Sequence, residues 1–314
     1  LGGTRRTLLL GPRRRLLDGD WPGRAPALAA LLARGTPIAR PPGDQPCFAR
    51  AIHLEAVDGA WPIAALTRAF DGGEVADAVW IRADPAHVRA DAVCLRLLAC
   101  GDLRLSRADV DGARQAVAPI LEAAGIRLET PHPARWYLRL PPGTPVPRWS
   151  PPDRALGDDL SRHLPAGPET ARWLRLLNEV QIALHHAGFN RDRAARGLVA
   201  LNSLWFWGAG TVPRGITVRP RRIASADPIL LGALRLAGLE PCDYAAAAPA
   251  SPGDSLVDLR RLDDVALVER DWLAADLAAL QHGRFARIEL LFEDADGVGV
   301  DRWQAWRLWR RRPA

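Results

Sequence analysis

Between Ala78 and Leu140 the chain changes its rhythm, and this change limits the fold more than any other feature. "AVWIRA" and "AVCLRLLA" read as strands, "LSRADVDGARQAVAPILEAAG" as a helix, and "GIRLET" and "RWYLRLP" as two alternating strands joined at "PHPA". Strands around a single helix make a small α+β unit. On both sides of it, short apolar runs alternate with helical patterns. "TLLLGP" reads as a strand, "APALAALLARG" as a helix with a glycine stop, and "PIAALTRAF" as a helix entered through proline. After Pro168 the alternation resumes. Trp173, Leu176, Leu177, Val180 and Leu184 share one helix face, and "ALNSLWFWG" and "PRRIAS" read as strands. Asp227 caps a helix with Pro228 in its first turn, and a further helix runs from Asp264 to His282. "RFARIELLFE" and "GVGVDRW" close as a hairpin. The predicted fold is α/β with a smaller inserted α+β subdomain. Residues 1–77 would form the first part of the core and 78–140 the insert. Residues 141–314 would supply a proline-rich connection and the second part of the core.

Composition narrows the class of protein. With 314 residues, 48% hydrophobic and 25% charged, the chain can bury a substantial core. All 42 basic residues are Arg, and Met is absent, a bias that a GC-rich codon usage accounts for. The formal net charge is +6. The arginines are dispersed apart from Arg13–Arg15, Arg221–Arg222 and Arg310–Arg312, which argues against nucleic acid as the partner. No apolar run approaches the roughly 18 residues that span a bilayer, and Thr7–Leu10 is too short for a secretory core. The expectation is a cytoplasmic protein without a membrane partner. Cys47, Cys94, Cys100 and Cys242 show no CxxC spacing and read as buried thiols.

Side-chain chemistry concentrates in two places. From Leu177 to Pro213 the chain gathers Asn178, Glu179, His185, Asn190, Arg191, Arg193 and Asn202, then a Gly208-Ala209-Gly210 turn after a strand. Amides and a guanidinium fork suit an oxyanion, and glycines after a strand lie where open α/β sheets keep their ligands. The same amides also serve as structural bonds where strands and helices end. Strand length separates Asn202 from the glycines, so Asn178, Asn190 and Asn202 are expected to form a structural cluster. Gly208 and Gly210 are expected to line a cleft at the other end, with Arg82 or Arg221. The second place is "IRADPAHVRADA", with Arg82, Asp84, His87, Arg89 and Asp91. Asp84-Pro85 reads as a turn, and His87 beside a carboxylate reads as a local bond or a metal pair. The candidate ligand residues are Arg82, Asp84, His87, Asn190, Arg193, Gly208 and Gly210. No catalytic residue, metal ligand or cofactor site is assigned.

These stretches, with "RWYLRLP" upstream and "WRLWRRRP" at the end, resemble the RpfE-type bacterial regulatory proteins, also called phosphoglycerate mutase-like proteins. The central stretch is more distantly similar to the archaeal type of cofactor-independent phosphoglycerate mutase, through Asn178-Glu179, Phe189-Asn190 with Arg193, Asn202 and Gly208-Ala209-Gly210. The resemblance implies an alkaline-phosphatase-like core sheet with helices on both faces. It also implies a centre of two metal ions held by Asp and His beside a Ser nucleophile. This chain departs from that centre. Gly11 stands where the first strand should end in Asp, "GDQPCFARA" contains no Ser, and His282 is the sole histidine after Gly238. The function expected is a mutase-like binding or regulatory protein without the metal centre. It would accept a small phosphorylated or carboxylated ligand, or a protein partner. The alternatives are an active mutase or phosphoesterase using Asp18, Asp84 and His87, and a nucleic-acid-binding regulator using the Arg-rich ends.

Overall fold

The computed structural model describes residues 4–55, 61–72, 75, 77–91, 94–248 and 253–307. Along the chain the strands are β1 (Arg5–Leu10), β2 (Thr36–Ile38), β3 (Ile52–Leu54), β4 (Val79–Ala90), β5 (Leu95–Cys100), β6 (Arg127–His132), β7 (Arg135–Leu140), β8 (Ser203–Gly210), β9 (Ile216–Val218), β10 (Arg222–Ala224), β11 (Ser255–Asp258), β12 (Arg287–Phe292) and β13 (Gly297–Asp301). The chain is a mixed α/β protein that divides into two units. Unit 1 comprises Leu1–Leu54 with Gly215–Ala314, and unit 2 comprises Glu55–Arg214.

Unit 1 is built on a six-stranded sheet in the order β10-β11-β1-β12-β13-β2. The first four strands run parallel, and β13 turns back against β12 and pairs with β2. Leu8, Leu10, Ile288, Leu290 and Phe292 pack with Leu28 and Leu31 of the Pro26–Arg34 helix and with Leu280. By strand alternation Leu9, Leu256 and Leu291 face the opposite side, and they too are buried. Both faces are therefore covered, which suits a parallel sheet with near-continuous apolar strands. The 264–282 stretch is helical but has a wide turn, Glu269–Leu273, in its middle. Buried Glu269 accepts the backbone N–H groups of Ala27 and Leu28 and so caps the Pro26–Arg34 helix, which has no side-chain cap of its own.

Unit 2 is wider than the 78–140 insert read from sequence, and the reason is β8. That strand pairs antiparallel with β4 from Trp80 to Ala86, so a segment assigned to the core belongs to the inserted sheet. On its other edge, β4 pairs first with β7 and then with β5, and β6 continues beyond β7. The turn expected at Asp84-Pro85 is absent, since β4 runs unbroken from Val79 to Ala90. Pro85 is tolerated because β7 pairing ends at Arg82 and β5 pairing begins at Ala86. Its carbonyl accepts from Gly101 on that edge, and the N–H it lacks would have pointed into the same gap.

Helix Arg107–Ala123 begins with the expected capping box of Ser106 and Asp109 and buries Val110, Ala113, Val117 and Leu121. Helix Thr170–His186 buries Trp173, Leu176, Leu177, Val180 and Leu184 in the same core. Trp149, Trp173 and Trp205 fill that core, with Phe206 edge-on to Trp149 and Trp173 at 5.4 Å. The opposite face of the sheet carries helix Ile63–Phe70, with Ala64 and Ala65 against Trp80 and Tyr137.

Candidate functional site

The residues singled out in unit 2 fall into separate bonded groups. Arg82 and Asp84 are buried and form a forked pair, Nε to Oδ1 at 2.9 Å and Nη2 to Oδ2 at 2.8 Å. Trp207 Nε1 donates to the same carboxylate at 2.7 Å, and the Arg82 guanidinium lies over the rings of Trp207 and Tyr137. Burial pushes the Asp84 carboxyl up, against the pull of Arg82 and Trp207. His87 Nδ1 meets the carbonyl oxygen of Ala200 at 2.9 Å.

Arg193 is fully buried. It donates to Asp109 and to the carbonyl oxygens of Val199 and Leu103. Burial would raise the Asp109 carboxyl, but the Ser106 donors, Arg196 and Arg193 hold it below the usual carboxylate range. Asn190 donates to the carbonyl oxygens of Leu184 and Leu201 and accepts from Leu201 N–H. Asn202 clasps the backbone N–H and carbonyl of Val88. Asn190 and Asn202 thus tie the end of one helix and the start of β8 into place. Asn178 is a correction to the expected cluster. It is exposed on the Thr170–His186 helix, because the five buried apolar residues leave position 178 on the solvent side.

The cleft expected at Gly208 and Gly210 is filled by helix Ile63–Phe70. A Cβ at Gly210 would stand 2.7 Å from Pro62 Cα, and one at Gly208 would stand 2.9 Å from Ile63 Cβ. Gly208 also has φ 63°, so it allows both the backbone turn and the close approach.

A second constellation lies at the carboxyl ends of the parallel strands of unit 1, where open α/β sheets bind ligands. Asp258 ends β11, and Ser225 and Asp227 follow β10. The Arg260 guanidinium bridges both carboxylates. Its Nε lies 2.8 Å from Asp258 Oδ1, and its Nη2 lies 2.7 Å from Asp258 Oδ2 and from Asp227 Oδ2. Ser225 Oγ donates to Asp258 Oδ2, and Asp227 Oδ1 accepts from Ile229 and Leu230 at the start of helix Pro228–Leu236. Burial opposes the charge on Asp258, yet Arg260 and Ser225 hold its carboxyl below the usual range, and the Arg260 guanidinium is correspondingly raised. Arg260 also lies 5.2 Å from the centre of the Phe48 ring.

Next in sequence to Phe48 is Cys47, in the segment where the resemblance places a nucleophile. Its thiol is pushed up to about 12 by burial, against Arg260 and with the carboxylates of Asp258, Glu293 and Asp227. It is therefore a neutral thiol near pH 7 and a weak nucleophile.

This constellation does not fit a two-metal centre. The oxygens of Asp227 and Asp258 are occupied by Arg260, Ser225 and backbone N–H groups. Gly11, just past β1, offers no ligand, and a Cβ there would stand 3.2 Å from the Arg260 carbonyl oxygen. Among the described residues, no group of three or more His, Cys, Asp or Glu is placed to hold a metal ion. A guanidinium is a fixed charge that neither loses its proton nor activates a bound water. Sequence reasoning recognised Asp227 as a helix cap but missed Asp258 and Arg260. The available signal was "SLVDLR", a short apolar run ending in Asp with Arg two residues on.

No family model matches the chain. Over 64 residues it is 38% identical to a probable 2,3-bisphosphoglycerate-independent phosphoglycerate mutase of Geobacter sulfurreducens. That stretch is 20% of this chain and 16% of the relative, so the match spans about a sixth of the relative's length. Two solved structures are similar at low identity. One is a cofactor-independent phosphoglycerate mutase from Thermoplasma acidophilum, with TM-score 0.45 and 17% identity, covering 96% of this chain and 90% of that one. The other is the PH0037 protein from Pyrococcus horikoshii, with TM-score 0.47 and 14% identity, covering 95% and 87%. The chain is distantly similar to cofactor-independent phosphoglycerate mutase. Among the described residues no helix is long and apolar enough to cross a membrane.

Proposed function

We propose that this chain is a phosphoglycerate mutase-like protein that does not run the mutase reaction and serves as a binding or regulatory protein. The observation that carries this reading is Arg260, whose guanidinium fills the space between Asp227 and Asp258 at the carboxyl ends of the parallel strands. Those carboxylates end β11 and follow β10, and Arg260 takes the oxygens that a divalent ion could otherwise use. With the guanidinium there, one positive charge faces two carboxylates where a divalent ion would bring two, and the site loses the means to activate an oxygen nucleophile. Cys47, as a neutral thiol, does not replace that nucleophile.

The alternative of an active mutase would draw on Asp18, Asp84 and His87. Asp84 is taken by Arg82 and Trp207, His87 by the Ala200 carbonyl, and Asp18 is exposed and accepts its own neighbour's N–H. The test is interconversion of 2-phosphoglycerate and 3-phosphoglycerate by the purified protein, with and without added Mn²⁺. The result expected is no turnover above a protein-free control. Turnover that depends on the added metal would overturn the reading.

A further inference from the structure

Across three strands of unit 2, the register sets Trp80 of β4, Arg139 of β7 and Arg127 of β6 in one row. Two residues along lies the next row on the same face: Arg82, Tyr137 and Glu129. Arg127 and Arg139 are directly opposite, and like charges in that position repel. Arg68, from helix Ile63–Phe70, enters between the rows, with its guanidinium 5.7 Å from the Trp80 ring centre and 5.9 Å from that of Tyr137. Its Nε and Nη2 are 2.8 and 2.7 Å from Glu129 Oε2, but its Nη1 is buried without a hydrogen-bond partner among the described residues. Trp80 Nε1 is also a buried donor without a partner among the described residues, as are those of Trp136, Trp149 and Trp173. Arg139 is half-buried, lies 5.9 Å from the same Trp80 ring centre, and makes no ion pair among the described residues.

Elsewhere on this face each guanidinium has its own carboxylate, Arg82 with Asp84 and Arg135 with Asp71. Here Arg68, Arg127 and Arg139 share Glu129, whose contact with Arg127 is a long 3.9 Å. Arg127 is 73% exposed and hydrated, so a water at the orphan donor would leave the half-buried Arg139 as the charge without a counter-ion. An oxyanion serves both the donor and that charge, because a phosphate or carboxylate matches the planar fork of Arg139 and accepts from further N–H donors.

We propose that this patch of unit 2, formed by Arg139, Arg127 and Arg68 beside Trp80, binds a small oxyanion of the phosphate or carboxylate class. The site is separate from the Arg260 cluster and stands or falls without it.

The test is the thermal midpoint of the full chain in inorganic phosphate, acetate or chloride at matched ionic strength. The wild type should show a saturable rise in low-millimolar phosphate over chloride. Arg139→Gln should lose that rise, and its midpoint in chloride should equal or exceed the wild type's, since one of two opposed charges is gone. A variant at a distant exposed arginine, Arg107→Gln, should keep the rise, which separates binding from the general salting effect of phosphate. A response to phosphate but not acetate assigns a phosphoryl group, and a response to both assigns oxyanions more broadly. Broadening of the phosphate ³¹P resonance by the wild type gives a readout that needs no variant. Equal wild-type midpoints in phosphate and chloride, or an unchanged response in Arg139→Gln, would overturn the proposal.

Discussion

Replacing Asp109 by alanine removes the counter-charge of Arg193, whose side chain is fully buried. The guanidinium would keep its bonds to the Val199 and Leu103 carbonyls but would retain an uncompensated charge. Removing one partner of a buried pair costs about 3–5 kcal/mol. The same substitution abolishes the capping box at the start of helix Arg107–Ala123, a contribution of about 1 kcal/mol. Arg196, the second partner, is 44% exposed and stays hydrated when the carboxylate is lost, so only the Arg193 charge is stranded in the interior and the lower end of the pair cost applies. The expected loss is therefore about 4 kcal/mol at neutral pH. Urea denaturation followed by tryptophan fluorescence reads it, because Trp149, Trp173 and Trp205 lie in the core that this helix covers. At a slope of about 2 kcal/mol per molar urea, the midpoint should fall by about 2 M with little change in slope. Asp109→Asn, which keeps an acceptor but not the charge, should lose less. The Asp109 carboxyl is held below its unfolded value near 3.9, so its stabilisation is fully present above that pH and is lost as pH falls through the folded value. The gap between wild type and Asp109→Ala should accordingly close under acid conditions. A loss within about 0.5 kcal/mol at neutral pH, the range of ordinary surface substitutions, would refute the claim that this pair holds the helix in place.

Other consequences are equally specific. Asn202→Ala strands the N–H and carbonyl of Val88 and should cost about 1–3 kcal/mol by urea denaturation. Gly210→Ala places a methyl 2.7 Å from Pro62 Cα and should destabilise unit 2 by about 1–3 kcal/mol, read as a lower thermal midpoint. Cys47, with its thiol pushed up to about 12, should resist a thiol-reactive disulfide reagent at pH 8 in the folded protein and react once unfolded, as read by peptide mass spectrometry.

Local signals in the sequence reached the structure largely intact. The Ser106–Asp109 capping box, the five-residue apolar face of helix Thr170–His186 and the Asp227–Pro228 helix start all depend on residues close in the chain. Signals that depend on pairing across the chain did not survive. Asp84-Pro85 has the local chemistry of a turn, yet β8, more than a hundred residues on, holds it in a strand. Gly208 and Gly210 have the look of a ligand turn, but what approaches them is Pro62 and Ile63 from a distant helix. Arg193 and Asn190 suggested a ligand grip, and their donors are spent on backbone and on Asp109. Arg260 was invisible for the same reason. Only the parallel pairing of the short strands β10 and β11 brings Asp227 beside Asp258.

Metal content tests the role assigned to Arg260 most directly. The purified chain, dialysed against excess Mn²⁺ and then desalted, is measured by inductively coupled plasma mass spectrometry. If Arg260 holds the place of a cation between Asp227 and Asp258, the wild type should retain far less than one manganese per chain. Two tightly held ions per wild-type chain would mean that the carboxylates release Arg260 to bind metal, and would contradict the assignment.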